Sequence, residues 1–442
     1  MKRRYYNWYS KTYIFNEKLN RKFTTAGAAV FISAFTLLFF GLNTNLSMLF
    51  VTFSIAVSLI ITDALSLSGK MRQLKVVRYL PPFISRGQKL KYKVLIKNYG
   101  GELQKGELFY KEMISDPRPD YESFISTPEP GEEKRNRYDR KMAYYRWKWL
   151  IGRNSGGGTQ EFSVTGEKMD DGEVFEAEFM PERRGKIMFS GAYLFRKGVF
   201  GLFKKGKVVD FPGDIIVFPK ILHVDQMECM DGSRNADSEK VRETPETGPG
   251  YELKSLREYV PGDSPRTIHW RSSAKTGDLK VKEFHKEVDA GTVMFIDNFF
   301  SESYSDDFED LMTVAASLLN NSYEVGKMPQ SIVIGQESFD IASTSRDSLL
   351  RALSALALTG NDRSANLINS VKDLTESAKE CCSVIFLTSN YDEKRFLMIE
   401  SLFKHKVPVT LIFTGERKTL SAPVVFEKHV SKEDLNSGAL KL

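Results

Sequence analysis

The sequence predicts a membrane-anchored multidomain chain with a two-helix transmembrane hairpin, a β-sandwich-like domain and an α/β domain, in that order. Three observations predict it: two charge-free apolar runs near the N-terminus, strand-like alternation over residues 71–219, and alternating strand and helix patterns after residue 291. The 442 residues suffice for two or three domains. A hydrophobic content of 41% and a charged content of 27% are typical of a folded protein.

The first apolar run covers residues 24–42 and contains no charged residue. At about 1.5 Å per residue it nearly matches the hydrocarbon thickness of a bilayer. A second uncharged run, 45–62, follows at once and is closed by Asp63. We predict spans at about 24–42 and 45–65, joined by a loop at 43–45. A buried helical hairpin is the alternative, and a cleaved signal peptide fits less well because the second run follows immediately.

The basic residues lie on the outer sides of the two runs. Residues 1–23 contain seven basic residues against Glu17 and account for the whole net charge of +6. Lys70, Arg72, Lys75 and Arg78 follow the second run. The positive-inside rule therefore predicts a basic cytoplasmic arm over 1–23 and cytoplasmic domains after the hairpin. The remaining residues sum to zero charge, which disfavours nucleic-acid binding.

Residues 71–220 have a β texture. The stretch 90–98 alternates apolar and polar residues, and 183–203 combines glycines and aromatic residues at strand spacing. Within this region, 116–158 is irregular and charged, and predicts a loop or an inserted hairpin. Its aromatic and basic part suits either contact with lipid headgroups or an extra strand with Tyr144, Arg146 and Lys148 on one face.

A polar linker is predicted over 225–247, and a βα series begins at 291. Apolar strand runs at 292–297, 383–389 and 407–415 alternate with helical patterns at 306–325, 346–358 and 393–405, and 330–343 predicts a strand pair. Such alternation implies a mostly parallel sheet with helices on both faces. Cys229, Cys381 and Cys382 form neither a disulfide framework nor a metal-ligand spacing.

The segment 248–290 is the densest polar motif. Its notable residues are Arg257, Tyr259, Gly262, Asp263, Arg266, His269, Trp270, Lys275 and Glu287. Residues 260–263 predict a tight turn with Asp263 paired to Arg257 or Arg266, and a strand follows Gly277. The motif resembles the signature of the bacterial domain-of-unknown-function 58 family, with Lys275 where that family usually has Arg. Fixed turn, partner-binding surface and catalytic site all remain open for this segment, although it shows no nucleophile with a base and an orienting acid.

The βα series over 291–442 resembles a von Willebrand factor A-like (Rossmann-type) domain. Such domains often bind a divalent cation through an Asp-x-Ser-x-Ser motif, a Thr and a later Asp at the carboxyl ends of the strands. Asp297 and Ser301 match this pattern, whereas Phe299 replaces the middle Ser, Ser389-Asn390 replaces the later Asp, and Ser364 is a weak stand-in for the Thr. We therefore expect a degenerate remnant without a metal.

Two functions from different classes fit the sequence. The first is a non-enzymatic scaffold or adaptor at the bacterial inner membrane, without a cofactor. For it the resemblance implies a MoxR-type AAA+ ATPase as partner in the assembly or maturation of complexes. The second is an uncharacterised hydrolase or transferase that uses Asp263, Arg266 and His269. Co-purification of an ATPase partner would favour the first, and a small molecule bound to the purified protein would favour the second.

Overall fold

The computed structural model describes residues 2–41, 47–68, 74–98, 108–164, 167–169, 172–225, 253–260, 263–284, 291–299, 306–341, 343–360, 383–415, 424 and 426–441. The chain forms two compact units. The first comprises 1–222, 300–320 and 349–363, and the second 223–299, 321–348 and 364–442. The predicted linker at 225–247 lies outside the described residues except for Asp225. All three cysteines lie outside them.

Three helices begin the first unit: α1 (Lys2–Lys22), α2 (Thr25–Gly41) and α3 (Ser47–Ser66). Among the described residues, Met48–Ser66 is the one stretch long and apolar enough to cross a membrane, and Thr25–Phe40 is a shorter apolar helix. The predicted loop at 43–45 lies outside the described residues, as do Lys70 and Arg72. The N-terminal basic residues, predicted as an arm, form the regular helix α1.

Two five-stranded sheets follow. One has the order β1-β3-β8-β5 with β7 paired to β8, and the other the order β2-β10-β9-β4-β6. Their strands are β1 (Leu74–Tyr79), β2 (Phe83–Ser85), β3 (Leu90–Asn98), β4 (Phe109–Ile114), β5 (Gly157–Thr159), β6 (Glu161–Ser163), β7 (Glu167–Met169), β8 (Gly172–Pro181), β9 (Gly185–Lys197) and β10 (Lys204–Phe218). Residues from both sheets share one core, including Val94, Ile96, Tyr110, Phe189 and Val217.

The insert between β4 and β5 is helical, so the predicted loop or hairpin is wrong. It contains α4 (Tyr121–Ser126), a 3-10 turn (Glu132–Lys134), α5 (Arg137–Met142) and α6 (Tyr144–Ser155). The expected strand with Tyr144, Arg146 and Lys148 on one face is part of α6. Helical spacing buries Arg146, which donates to Glu132 at 2.7 Å and to the Phe124 carbonyl at 3.0 Å.

The second unit contains a six-stranded sheet of order β16-β15-β14-β17-β18-β19. Its strands are β14 (Thr292–Ile296), β15 (Ser331–Ile334), β16 (Glu337–Asp340), β17 (Ser383–Thr388), β18 (Val409–Phe413) and β19 (Phe426–His429). All neighbouring strands are parallel except β15 and β16, which form the predicted antiparallel pair. The mostly parallel sheet is confirmed.

The helical patterns of the βα series also form helices: α8 (Asp306–Val325), α9 (Arg346–Leu358) and α10 (Glu393–Lys404). Most of α8 and most of α9 are grouped with the first unit. In the second unit, Met398, Ile399 and Leu402 of α10 pack against strand residues of the six-stranded sheet. The second unit also contains short elements: β11 (His223–Asp225) pairs with β20 (Ala439–Lys441), and α11 (Lys432–Ser437) precedes β20.

Candidate functional site

The motif at 248–290 is built on a two-stranded antiparallel sheet. β12 (Leu253–Glu258) pairs with β13 (Lys280–Phe284), the strand predicted after Gly277. Between these strands lie a 3-10 turn (Pro265–Thr267) and the short helix α7 (Trp270–Thr276), which the sequence analysis did not predict. The motif is therefore a strand–turn–helix–strand unit, and Gly262 and Glu287 lie outside its described residues.

Arg257 is the partner of Asp263. The two Nη atoms of Arg257 donate to the two carboxylate oxygens at 2.7 Å each, and the Val260 backbone N–H donates to the same carboxylate at 2.9 Å. The Asp263 N–H returns to the Val260 carbonyl at 3.1 Å, which closes the predicted turn. The Arg257 hydrogen bonds, with that of Val260, lower the pKa of Asp263 to about 2. This pair fixes the turn that precedes α7.

His269 and Ser273 fasten α7 to β13. His269 is the N-cap residue, and its Nδ1 accepts the Ser272 N–H at 3.2 Å. The His269 backbone N–H donates to the Lys280 carbonyl at 2.8 Å. The Ser273 hydroxyl donates to the His269 carbonyl at 3.1 Å and accepts the Lys280 N–H at 2.8 Å. Both side chains thus hold the frame of the motif.

Three signature residues remain at the surface: Arg266, Trp270 and Lys275. Among the described residues none of these side chains has a hydrogen-bond or ion-pair partner, and Trp270 is 65% exposed. Val260 and Leu279 are exposed apolar residues of the same motif. The signature residue Tyr259 is half-buried. We call Val260, Arg266, Trp270, Lys275 and Leu279 the α7 surface. It presents basic and apolar groups on a hydrogen-bonded frame.

The catalytic alternative rests on His269 and its neighbours. His269 Nδ1 lies 2.8 Å from the Ser272 hydroxyl, a distance at which a base can activate a nucleophile. The same Nδ1 also accepts the Ser272 N–H as a helix cap. Among the described residues Asp263 bonds Arg257 and Val260, and no hydrogen bond joins it to His269. The predicted Asp263/Arg266/His269 set does not form an acid–base relay here.

A second cluster forms at the carboxyl ends of the parallel strands. Asp297 follows β14 and is buried. Its carboxylate accepts the Phe299 N–H at 3.0 Å and the hydroxyl of Thr388, the last residue of β17, at 2.7 Å. Adjacent parallel strands bring these two residues together because their carboxyl ends meet at one edge of the sheet.

A guanidinium lies against Asp297. Arg395, on the first turn of α10, donates from Nε to the Asp297 carboxylate at 2.9 Å and from Nη2 to the Phe299 carbonyl at 2.8 Å. Its Nη1 donates to Asp392, the N-cap residue of α10, at 2.7 Å. Burial lowers the pKa of Arg395, but Asp297 and Asp392 outweigh that effect and raise the pKa above its usual value. Asp297 is therefore neutralised by a cation of the chain itself.

The donor set for a divalent ion is poor. The described residues contain no group of three or more His, Cys, Asp or Glu side chains that could hold a metal. Phe299 is buried in the apolar core with Tyr391 and Phe413. Ser389 is also buried, while Ser301 and Ser364 lie outside the described residues. Mg²⁺ prefers six oxygen ligands in octahedral geometry, whereas at Asp297 a guanidinium of the chain lies against the carboxylate.

Comparison with known proteins finds similarity over part of the chain to a family without an assigned activity. The family described as Protein of unknown function DUF58 matches residues 255–407. That range contains residues 255–290 of the signature motif and the Asp297–Arg395 pair. Uncharacterized protein YeaD of Bacillus subtilis (strain 168) is 32% identical over 83 residues, which are 19% of this chain. The match spans 20% of that relative's length.

Arg395, Asp392 and Thr388 were not singled out by the sequence analysis. One signal was present: Arg395 occupies the same helical face as the buried residues Met398, Ile399 and Leu402. A basic residue on an apolar face needs a buried acidic partner or a path to solvent. That argument predicts a partner for Arg395, but it does not name Asp297, which lies 98 residues earlier.

Proposed function

We propose that this protein is a membrane-tethered, non-enzymatic scaffold or adaptor whose α7 surface binds a protein partner in the cytoplasm. The observation that carries the proposal is the exposure of Arg266, Trp270 and Lys275 on a motif held by two independent sets of hydrogen bonds. Arg and Trp are enriched among residues that dominate binding energy. A pre-ordered surface also loses less conformational entropy when a partner binds.

Residues 291–442 are proposed to form a von Willebrand factor A-like domain. Its mostly parallel sheet and the position of Asp297 after β14 support that assignment. In such a domain the strand-end rim is the binding surface, and here Arg395 supplies the positive charge at that rim. The contact surface would then include the rim around Asp297 and Ser301 as well as the α7 surface.

The anchor is proposed to consist of two spans, at about 24–42 and 45–65, in the bacterial inner membrane with both termini cytoplasmic. The basic residues of α1 and the apolar helices α2 and α3 support this topology. Confinement to the membrane raises the effective concentration of membrane-localised partners. The partner suggested by the family resemblance is a MoxR-type AAA+ ATPase.

The test is binding of the full chain, in nanodiscs, to a purified MoxR-type ATPase from the same cells. We expect Arg266→Glu and Trp270→Ala to abolish binding while the folded structure persists. Lys404→Glu and Phe403→Ala are matched controls, because both residues are exposed at the C-terminal end of α10. Equal binding by all four variants would refute the α7 surface. Turnover of a substrate that is lost in Ser272→Ala or His269→Ala would favour the enzyme instead.

A further inference from the structure

Helix α1 has an inner face that is fixed to the first unit. Tyr9 is buried in an aromatic cluster with Phe124 and Trp147. The Tyr6 hydroxyl donates to the Pro119 carbonyl at 3.0 Å, and the Tyr9 hydroxyl to the Met142 carbonyl at 3.1 Å. These contacts set the rotation of α1 about its axis, and hence which residues face away from the protein.

The opposite face of α1 is both basic and apolar. At 3.6 residues per turn, one sector of the helix contains seven residues. They are Arg4, Trp8, Lys11, Phe15, Lys18, Leu19 and Lys22, and we call them the outer face of α1. All are exposed, with Trp8 at 59% and Phe15 at 61%. The outer face contains four basic residues and no acidic residue, since Glu17 lies on another side of the helix and pairs with Arg21.

The C-terminal end of α1 leads directly into the apolar helices. The Tyr193 hydroxyl donates to the Arg21 carbonyl at 2.6 Å, and Thr24 donates from its N–H to the Leu202 carbonyl at 3.0 Å. Helix α2 begins at the next residue, Thr25. The outer face of α1 therefore ends where the apolar run starts, and the adjoining β9–β10 loop holds that junction.

The same loop holds the far end of α3. The buried carboxylate of Asp63 accepts the backbone N–H groups of Phe200, Leu202 and Phe203 at 2.6, 2.9 and 2.8 Å. A side chain at Gly198 would clash with this carboxylate, so the close approach requires glycine. The tip of the loop is apolar, and Val199 is 76% exposed. The start of α2 and the end of α3 are thus both held by one loop, and the tip of this loop exposes hydrophobic side chains.

We propose that the outer face of α1 and the tip formed by Val199 and Phe200 bind the surface of a bilayer that contains anionic phospholipids. Lysine and arginine would contact the phosphate groups, while Trp8, Phe15 and Leu19 enter the boundary between headgroups and acyl chains. Continuity with α2 and the absence of acidic residues favour a membrane over a protein partner or a second copy. The inference rests on the proposed membrane spans.

The experiment uses the full chain in nanodiscs with brominated lipids, after the three native cysteines are replaced by serine. An environment-sensitive fluorophore is attached at Phe15→Cys, at Ile55→Cys in α3, or at Leu397→Cys, a comparably exposed position on α10. We expect bromines near the headgroups to quench the fluorescence of the fluorophore at residue 15. Bromines deep in the acyl chains should quench the fluorophore at residue 55, and neither set should quench the fluorophore at residue 397.

Charge reversal tests the anionic component. The double variant Lys11→Glu, Lys18→Glu should reduce the quenching at residue 15, whereas Lys11→Arg, Lys18→Arg should preserve it. Nanodiscs of neutral lipids should also reduce the quenching at residue 15. Quenching at 55 without quenching at 15 would overturn the surface proposal and leave the spans intact. Absence of quenching at 55 would refute the spans. Protection of residue 15 from aqueous quenchers without bromolipid quenching would indicate a protein on this face and overturn the proposal.

Discussion

Two arginine–carboxylate pairs in the second unit differ in what surrounds them. Arg395 and Asp297 are buried at the ends of parallel strands, and Arg395 also bonds the Phe299 carbonyl and Asp392. Arg257 and Asp263 form a bidentate pair that is partly exposed to solvent. The hydrogen bonds of the Arg257–Asp263 pair are as short as those of the buried pair. Water nevertheless competes for the exposed charges, so the Arg257–Asp263 pair contributes less to stability.

The two pairs therefore have different roles: the buried pair neutralises a charge inside the fold, and the exposed pair fixes a turn. Removing one member of the buried pair leaves the other without water or a counter-charge. Removing one member of the exposed pair returns the other to solvent. The first pair should therefore control folding of the sheet, and the second should control the order of the α7 surface.

The largest expected effect comes from Arg395→Met. Asp297 would remain buried without its cation, and breaking such a pair costs about 3–5 kcal/mol of unfolding free energy. Denaturant unfolding of the purified chain measures the loss. The double variant Asp297→Leu, Arg395→Met is the control and should recover most of it, because neither charge remains. A single variant as stable as the wild type would contradict the role of this pair.

A smaller effect is expected from His269→Ala, which removes the N-cap of α7. Loss of a side-chain cap typically costs about 1 kcal/mol. His269→Asn should keep the cap and most of the stability. Hydrogen exchange at residues 270–276 reports the change locally, and unchanged protection in His269→Ala would show that the cap is dispensable.

The contribution of the Arg257–Asp263 pair should be lost in acid. The pKa of Asp263 is lowered to about 2 from its ordinary value. A lowered pKa means that the pair stabilises the turn above the unfolded pKa of about 3.9 and loses that effect as the pH falls through the folded pKa. NMR or hydrogen exchange of the turn in wild type and Asp263→Asn should differ at neutral pH and converge near pH 2. A constant difference would rule out ionisation as the cause.

The smallest expected effect is the response to Mg²⁺. Because the Arg395 guanidinium occupies the Asp297 carboxylate, millimolar Mg²⁺ should not raise the melting temperature of the wild type. A site filled at a hundred times its Kd would stabilise the fold by about 2.7 kcal/mol. A clear rise that Asp297→Asn abolishes would mean that the ion displaces the arginine.

Periodic patterns predicted the long helices and most strands of the βα series. The acids of Asp306 and Asp307 and the apolar spacing behind them predict α8 with the bounds that the structure shows. The apolar runs of β14, β17 and β18 likewise predict a parallel sheet. The insert at 116–158 was misread because Tyr144, Arg146 and Lys148 alternate as in a strand, whereas buried contacts of Arg146, Trp147 and Leu150 favour a helix.

The sequence by itself determined where the apolar helices, strands β14 to β18 and the signature motif lie, since each depends on neighbours a few residues away. It also predicted a degenerate cation motif at Asp297, because Phe299 and Ser389-Asn390 stand where the motif has oxygen ligands. Only the tertiary structure decided which group lies against the Asp297 carboxylate. Arg395 reaches Asp297 because β14 and β17 are adjacent and α10 starts beside their ends. Similarly, only packing of Tyr6 and Tyr9 selects the face of α1 that remains exposed. Contacts between residues far apart in sequence depend on the fold, which local spacing does not encode.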